Sequence, residues 1–112
     1  MGTMQRGDVI VTAFPFAEGY MSKVRPAVVC GGPWNADYIS VCWIVMITSS
    51  LRHHWPGDVR IESAAAAGLP KTSLIRTLKV ACIDTRNVVK TIGSLDRKTL
   101  KAMHRAILQH VT

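Results

Sequence analysis

Tyr38-Ile39-Ser40-Val41-Cys42-Trp43-Ile44-Val45-Met46-Ile47 reads as one long strand, ended by the polar triplet Thr48-Ser49-Ser50. Its apolar centre, Val41 to Ile47, is far too short to span a bilayer. Shorter strands flank it. Toward the N-terminus, Arg25-Pro26 opens a strand over Ala27 to Cys30, because proline is tolerated at a strand start and not in its middle. Gly31-Gly32-Pro33-Trp34-Asn35 then reads as a turn. Asp8 to Phe14, with Val9, Ile10 and Val11, is a first strand. Pro15 to Lys23 is a loop of roughly ten residues, long enough to suggest a functional role.

Toward the C-terminus, Leu51 to Gly57 is a loop with room for a helical turn. Asp58-Val59-Arg60-Ile61-Glu62 alternates as a half-buried strand does. Ser63 to Pro70 holds consecutive alanines, but it is too short between its breakers to be a stable helix and is read as a loop. Thr72 to Ile83 and Thr85 to Ile92 are the fifth and sixth strands, the latter ending at Gly93.

One helix closes the chain. Asp96 is a good N-cap, and Leu95 and Leu100 are spaced as a hydrophobic staple. Leu100, Met103, Ile107 and Val111 recur at helical spacing as a buried stripe. Arg97, Lys98, Lys101 and Arg105 form the exposed face, while His104 and His110 read as packing or surface residues. Short strands with one terminal helix predict a mainly β fold: a small, strongly bent antiparallel barrel. At 112 residues it is expected to be a single domain spanning 1–112.

Nearly half the residues are hydrophobic, 48%, which is a globular composition. Lys and Arg number 14 against 7 acidic residues, a net charge of +7. That excess points to a polyanionic partner such as nucleic acid, an acidic protein or an anionic membrane. The basic residues are scattered, so folding must assemble any patch. Cys30, Cys42 and Cys82 are odd in number and lie among apolar residues, which suits buried thiols in a reducing cytoplasm. They form no zinc pattern, and no base stands beside them to make a nucleophile. The polar N-terminal residues do not resemble a signal peptide, so a cytoplasmic location without membrane attachment is expected.

No Walker loop, GxGxxG, nucleophile elbow or HExxH occurs. The carboxylates are too few and scattered for two-metal chemistry, so no metal or cofactor is expected. What remains is Arg, Thr, Ser and His in loops and at strand ends. RNA suits such a set, because its own 2′-hydroxyl can attack the adjacent phosphate. The protein must then hold the backbone in line and stabilise charge on the phosphoryl oxygens. Arginine fits that role through its two-pronged contact, and an arginine fixed before a proline at a strand start would be well oriented.

Several segments in order carry a family resemblance. They are Gln5-Arg6-Gly7-Asp8-Val9-Ile10, Arg25-Pro26-Ala27-Val28-Val29, Ile47-Thr48-Ser49, Pro56 to Ile61, Gly68-Leu69-Pro70-Lys71-Thr72-Ser73, Asn87 to Ile92, and Gly93-Ser94-Leu95 before the helix. Together they resemble the MazF/PemK family of toxin endoribonucleases over almost the whole chain. The resemblance implies an SH3-like barrel, a homodimer, and cleavage of single-stranded RNA to 2′,3′-cyclic phosphate and 5′-hydroxyl ends. It also implies neutralisation by a cognate antitoxin whose acidic tail fills the RNA groove. Arg25 and Thr48 match the family's usual catalytic pair, with Ser49 beside them as a supporting donor. Lys23, Arg52, Arg76 and Lys79, with Arg25, are the expected RNA-contacting cations.

One departure stands out. A branch of the family carries Arg-x-Asp after the Gly-Leu loop, whereas this chain has Arg76-Thr77-Leu78 and no aspartate there. The proton-transfer groups are therefore open. His53 and His54 are candidates because histidine is the side chain most often used as a general acid or base. Two other readings remain: a non-enzymatic gyrase poison of the CcdB kind, which shares the fold, and a plain nucleic-acid-binding SH3-like module. The Arg25 and Thr48 pair favours the nuclease.

Overall fold

The computed structural model describes residues 4–13 and 24–111. The expected loop over Pro15 to Lys23, and Lys23 itself, lie outside the described residues. The elements are β1 (Asp8–Ala13), β2 (Val24–Ala36), β3 (Ile39–Ser49), β4 (Asp58–Ile61), β5 (Ser73–Asp84), a 3-10 turn (Thr85–Asn87), β6 (Val88–Ser94) and α1 (Arg97–Val111). The strands make one six-stranded antiparallel sheet in the order β4-β5-β3-β2-β1-β6. The mainly β architecture with a C-terminal helix is as the sequence predicts.

The sheet buries side chains on both faces. Val9, Val28, Val45, Ile47, Ile61 and Ile75 share one core with Met103 of α1. Ile10, Ala27, Val29, Cys42, Ile44 and Ile83 form a second. Neighbouring residues such as Val9 and Ile10, or Val28 and Val29, thus enter opposite cores, as period-two alternation requires. Ile61 of β4 and Val9 of β1 meet in one core although three strands separate β4 from β1. The sheet is therefore strongly bent around that core.

The Ser63 to Pro70 segment links the two edges. It holds a single helical turn, with Ala67 N–H donating to the Ser63 carbonyl at 3.2 Å, and Ser94 N–H of β6 donates to the Ala66 carbonyl at 3.2 Å. Gly68 (φ +73°) and Gly93 permit this approach. A Cβ on Gly68 would lie 2.0 Å from the Ile92 oxygen, and one on Gly93 would lie 2.4 Å from the Ala67 carbonyl carbon.

Five expectations are corrected. Gly31 to Asn35 is not a turn, because β2 continues to Ala36 and the turn falls at Asp37-Tyr38. The Pro33 argument fails because β1 pairs β2 only over Val24 to Val28. Beyond that point β2 has β3 alone beside it, so the missing N–H falls on an edge with shifted register. The sixth strand begins only at Val88: Asp84 Oδ1 accepts from Arg86 N–H at 2.8 Å and caps a 3-10 turn over Thr85–Asn87. Gly93 does not end it, since the strand runs on to Ser94. Finally, Val111 is 74% exposed and lies outside the buried stripe, and Cys82 is exposed rather than buried.

The helix starts where its cap predicts. Asp96 Oδ1 accepts from Thr99 N–H at 2.7 Å. That bond holds the Asp96 carboxyl below its usual range.

Candidate active site

The antiparallel order β5-β3-β2 puts the start of β2, the end of β3 and the start of β5 at one edge of the sheet. The β2–β3 register runs through Ala27 opposite Met46. Carried two residues on, it sets Arg25 opposite Thr48. Both side chains alternate away from the core that takes Val28 and Ile47.

Arg25 and Thr48 line one open cleft of about 220 Å³. Ser49 and Arg52 join them from the end of β3, and Lys71 and Ser73 from the start of β5. Three cations and three hydroxyls therefore meet there, with no carboxylate or imidazole in the lining. Among the described residues Arg25, Arg52 and Lys71 make no ion pair, and the Thr48 hydroxyl makes no hydrogen bond. Two hydroxyls serve the local backbone. Ser49 Oγ accepts from Leu51 N–H at 3.2 Å, and Ser73 Oγ donates to the Lys71 carbonyl at 3.0 Å. The first holds the turn that carries Arg52, and the second fixes the backbone that carries Lys71. A concave, uncompensated cationic surface with a free hydroxyl is suited to a phosphodiester.

The other expected residues are elsewhere. Arg76 is buried, and its guanidinium donates to Asp58 Oδ1 at 3.3 Å, to Asp58 Oδ2 at 3.0 Å and to the His53 carbonyl at 2.5 Å. It also lies 4.4 Å from the Trp55 ring centre. It does not line the cleft, and its side chain is only 8% exposed and already engaged. The missing same-strand aspartate has a cross-strand counterpart, because Asp58 of β4 pairs in register with Arg76.

Lys79 sits in the irregular stretch of β5 between the pairs Met46/Arg76 and Val45/Val80, with Nζ 5.2 Å from the Trp55 ring centre. His53 and His54 are exposed in the loop before β4 and do not line the cleft. Lys71 and Ser73 were missed as site residues, although they stand within the Gly68 to Ser73 motif. Only the antiparallel return of β5 beside β3 brings that motif to Thr48.

Among the described residues no three His, Cys, Asp or Glu side chains gather as metal ligands. Burial pushes the Cys30 thiol up to about 11, so it is not a thiolate near neutrality. No helix of the described residues is long and apolar enough to cross a membrane.

Comparison with solved structures gives the same architecture. The Mycobacterium tuberculosis toxin MazF-mt6 is similar at 17% identity, over 93% of this chain and 95% of its own, with a TM-score of 0.68. MazF from Deinococcus radiodurans is similar at 13% identity, over 99% and 98%, with a TM-score of 0.71. An endoribonuclease from a mycobacterial species, in complex with its cognate antitoxin, is similar at 12% identity, over 97% and 95%, with a TM-score of 0.70. At these identities the likeness is one of fold. No curated protein matches the chain. The family model for the PemK-like, MazF-like toxin of type II toxin–antitoxin systems matches residues 5–111. With that match covering nearly its whole length, the chain belongs to the PemK-like, MazF-like toxin family.

Proposed function

We propose that this chain is an endoribonuclease toxin that cuts single-stranded RNA, with the scissile phosphate held in the cleft between β2, β3 and β5. The observation that carries the reading is the pairing of Arg25 with Thr48 in a cleft whose cations have no counter-ion among the described residues. Arg25 makes the two-pronged contact to the phosphoryl oxygens, and its charge meets the charge that builds as the 2′-oxygen attacks. The Thr48 hydroxyl donates a further hydrogen bond. Arg52 and Lys71 hold the flanking phosphates, which keeps the reacting oxygen, phosphorus and leaving oxygen in line.

The 2′-hydroxyl is the nucleophile, so a 2′,3′-cyclic phosphate forms, the P–O5′ bond breaks, and the 5′-oxygen leaves as a hydroxyl. No metal takes part in this scheme. The functional unit is a homodimer. Its antitoxin is an acidic segment that occupies the same cationic cleft and competes with RNA, as suits a chain of net charge +7.

Purified protein incubated with single-stranded RNA in EDTA tests the reading. Fragments ending in 2′,3′-cyclic phosphate and 5′-hydroxyl are expected. Intact RNA, or cleavage that requires an added divalent ion, would contradict it.

A further inference from the structure

The loop between β3 and β4 is tied down along its length. Arg76 Nη2 donates to the His53 carbonyl. Trp55 N–H donates to Asp58 Oδ2 at 2.8 Å, and Asp58 N–H donates back to the Trp55 carbonyl at 3.1 Å. Thr77 Oγ1 donates to the Gly57 carbonyl at 2.7 Å. These bonds fix a tryptophan at the surface. The buried Arg76 guanidinium lies 4.4 Å from the Trp55 ring centre and covers the ring from the sheet side. Trp55 is still 38% exposed, so an outward part of it stays bare.

The register relates this ring to the cleft. Ile75 enters the core that takes Ile47, so Arg76 alternates to the face that carries Thr48. Thr48 stands opposite Leu74, and Arg76 follows Leu74 on that face, about 7 Å along β5. Arg52, which lines the cleft, precedes Trp55 in the same loop. Lys79 Nζ stands 5.2 Å from the ring centre and makes no ion pair among the described residues.

We propose that Trp55 is a specificity-determining residue for RNA, a platform on which the base of a nucleotide next to the scissile phosphate stacks. The proposal rests on that phosphate being held at Arg25 and Thr48. A single strand drawn through the cleft offers unstacked bases, which bind best to an aromatic face. Among the described residues the cleft lining has no aromatic side chain, so stacking must come from beside it. Other exposed aromatics are badly placed. Trp43 lies about 17 Å along β3 from Thr48, on the opposite face, and meets Trp34 edge-on. Tyr38 is at the far turn of the same strand.

Held by its hydrogen bonds, the Trp55 ring loses little freedom when a base arrives. Arg76 and Asp58 support it from the sheet side, and the Lys79 cation is near enough to meet the phosphate of the stacked nucleotide. Stacking accepts every base and strengthens with ring area, so the resulting preference is for a purine over a pyrimidine.

Steady-state cleavage of a short single-stranded RNA with one cut site, by the wild type and by Trp55→Leu, tests the proposal. Leucine still covers the Arg76–Asp58 pair but offers no face to stack on, so the circular dichroism spectrum should not change. KM should rise at least about 10-fold, the loss of one base–aromatic stack. The value of kcat should stay within about twofold, because stacking serves substrate and transition state alike. Trp55→Phe should restore most of the loss. Substrates with an abasic site at successive positions around the cut identify the base. One of them should raise KM for the wild type as Trp55→Leu does for the intact strand, and the variant should not distinguish the two. The intact strand should quench wild-type tryptophan fluorescence, and that abasic strand should not. A folded Trp55→Leu with the wild-type KM overturns the proposal while leaving the cleavage reading in place. Equal quenching by the intact and every abasic strand also overturns it, and does so even where Trp55→Leu fails to fold. A wild type that cuts no RNA contradicts the cleavage reading and this proposal with it.

Discussion

Arg25 and Arg76 show how far a residue's type can mislead without its surroundings. Both are arginines on strands of the same sheet, and both are natural phosphate ligands by chemistry. Arg25 lines the open cleft without a counter-ion, whereas Arg76 is engaged by Asp58 and the His53 carbonyl. Their substitutions should therefore separate. Arg25→Ala should leave the fold intact and lower the cleavage rate about 10²–10³-fold, the usual loss of one transition-state donor. Arg25→Lys should rescue poorly, because a point charge cannot reproduce the paired contact. Arg76→Ala should leave the Asp58 carboxylate, 4% exposed, without its partner. It should cost about 3–5 kcal/mol in denaturant unfolding, a large share of a small domain's stability. His53→Ala and His54→Ala should cleave at close to the wild-type rate, since neither lines the cleft. A hundred-fold loss in either would return them to the mechanism. That Arg25 and Thr48 stand at neighbouring strand ends was legible in the sequence, because each sits in a recognisable motif beside an apolar strand. The burial of Arg76 was not, since its partner lies on another strand and only the β4–β5 register brings them together.

The elements were legible where periodicity was local. The alternation of Asp58 to Ile61 and the Asp96 cap both describe what the chain does. β2 was misread past Cys30 because proline and paired glycines signal a turn only where the strand is flanked on both sides, and no local pattern tells where β1 stops pairing. The close approach of the Ser63 to Pro70 segment to β6 was invisible for the same reason. It predicts that Gly93→Ala, whose new Cβ would press on the Ala67 backbone, destabilises the fold by about 1–3 kcal/mol. A neutral Gly93→Ala in denaturant unfolding would contradict this seam. At the start of α1, the Asp96 carboxyl is held low chiefly by the Thr99 amide. Its contribution to stability is present above the ordinary aspartate range and is lost as pH falls through its lowered folded value. Asp96→Ala should therefore lower Tm at neutral pH and make little difference in strong acid.

On the scale of the whole molecule, scattered charges become a site only through folding. Arg25, Arg52 and Lys71 are separated by long stretches of sequence yet share one cleft. If they neutralise about three phosphates of a single strand, the logarithm of RNA affinity should fall against the logarithm of salt with a slope of about −2. Lys71→Ala should reduce that slope by about 0.7. An unchanged slope would place Lys71 off the RNA. The central claim is that the chain positions RNA and the RNA supplies the nucleophile. It is tested most directly with an oligonucleotide bearing a single 2′-deoxyribose at the cut site, incubated with the wild-type protein in excess EDTA. The account predicts that this strand binds as its all-ribose parent does and is not cut, while the parent is cut. Cleavage of the deoxy strand at that position would contradict the account.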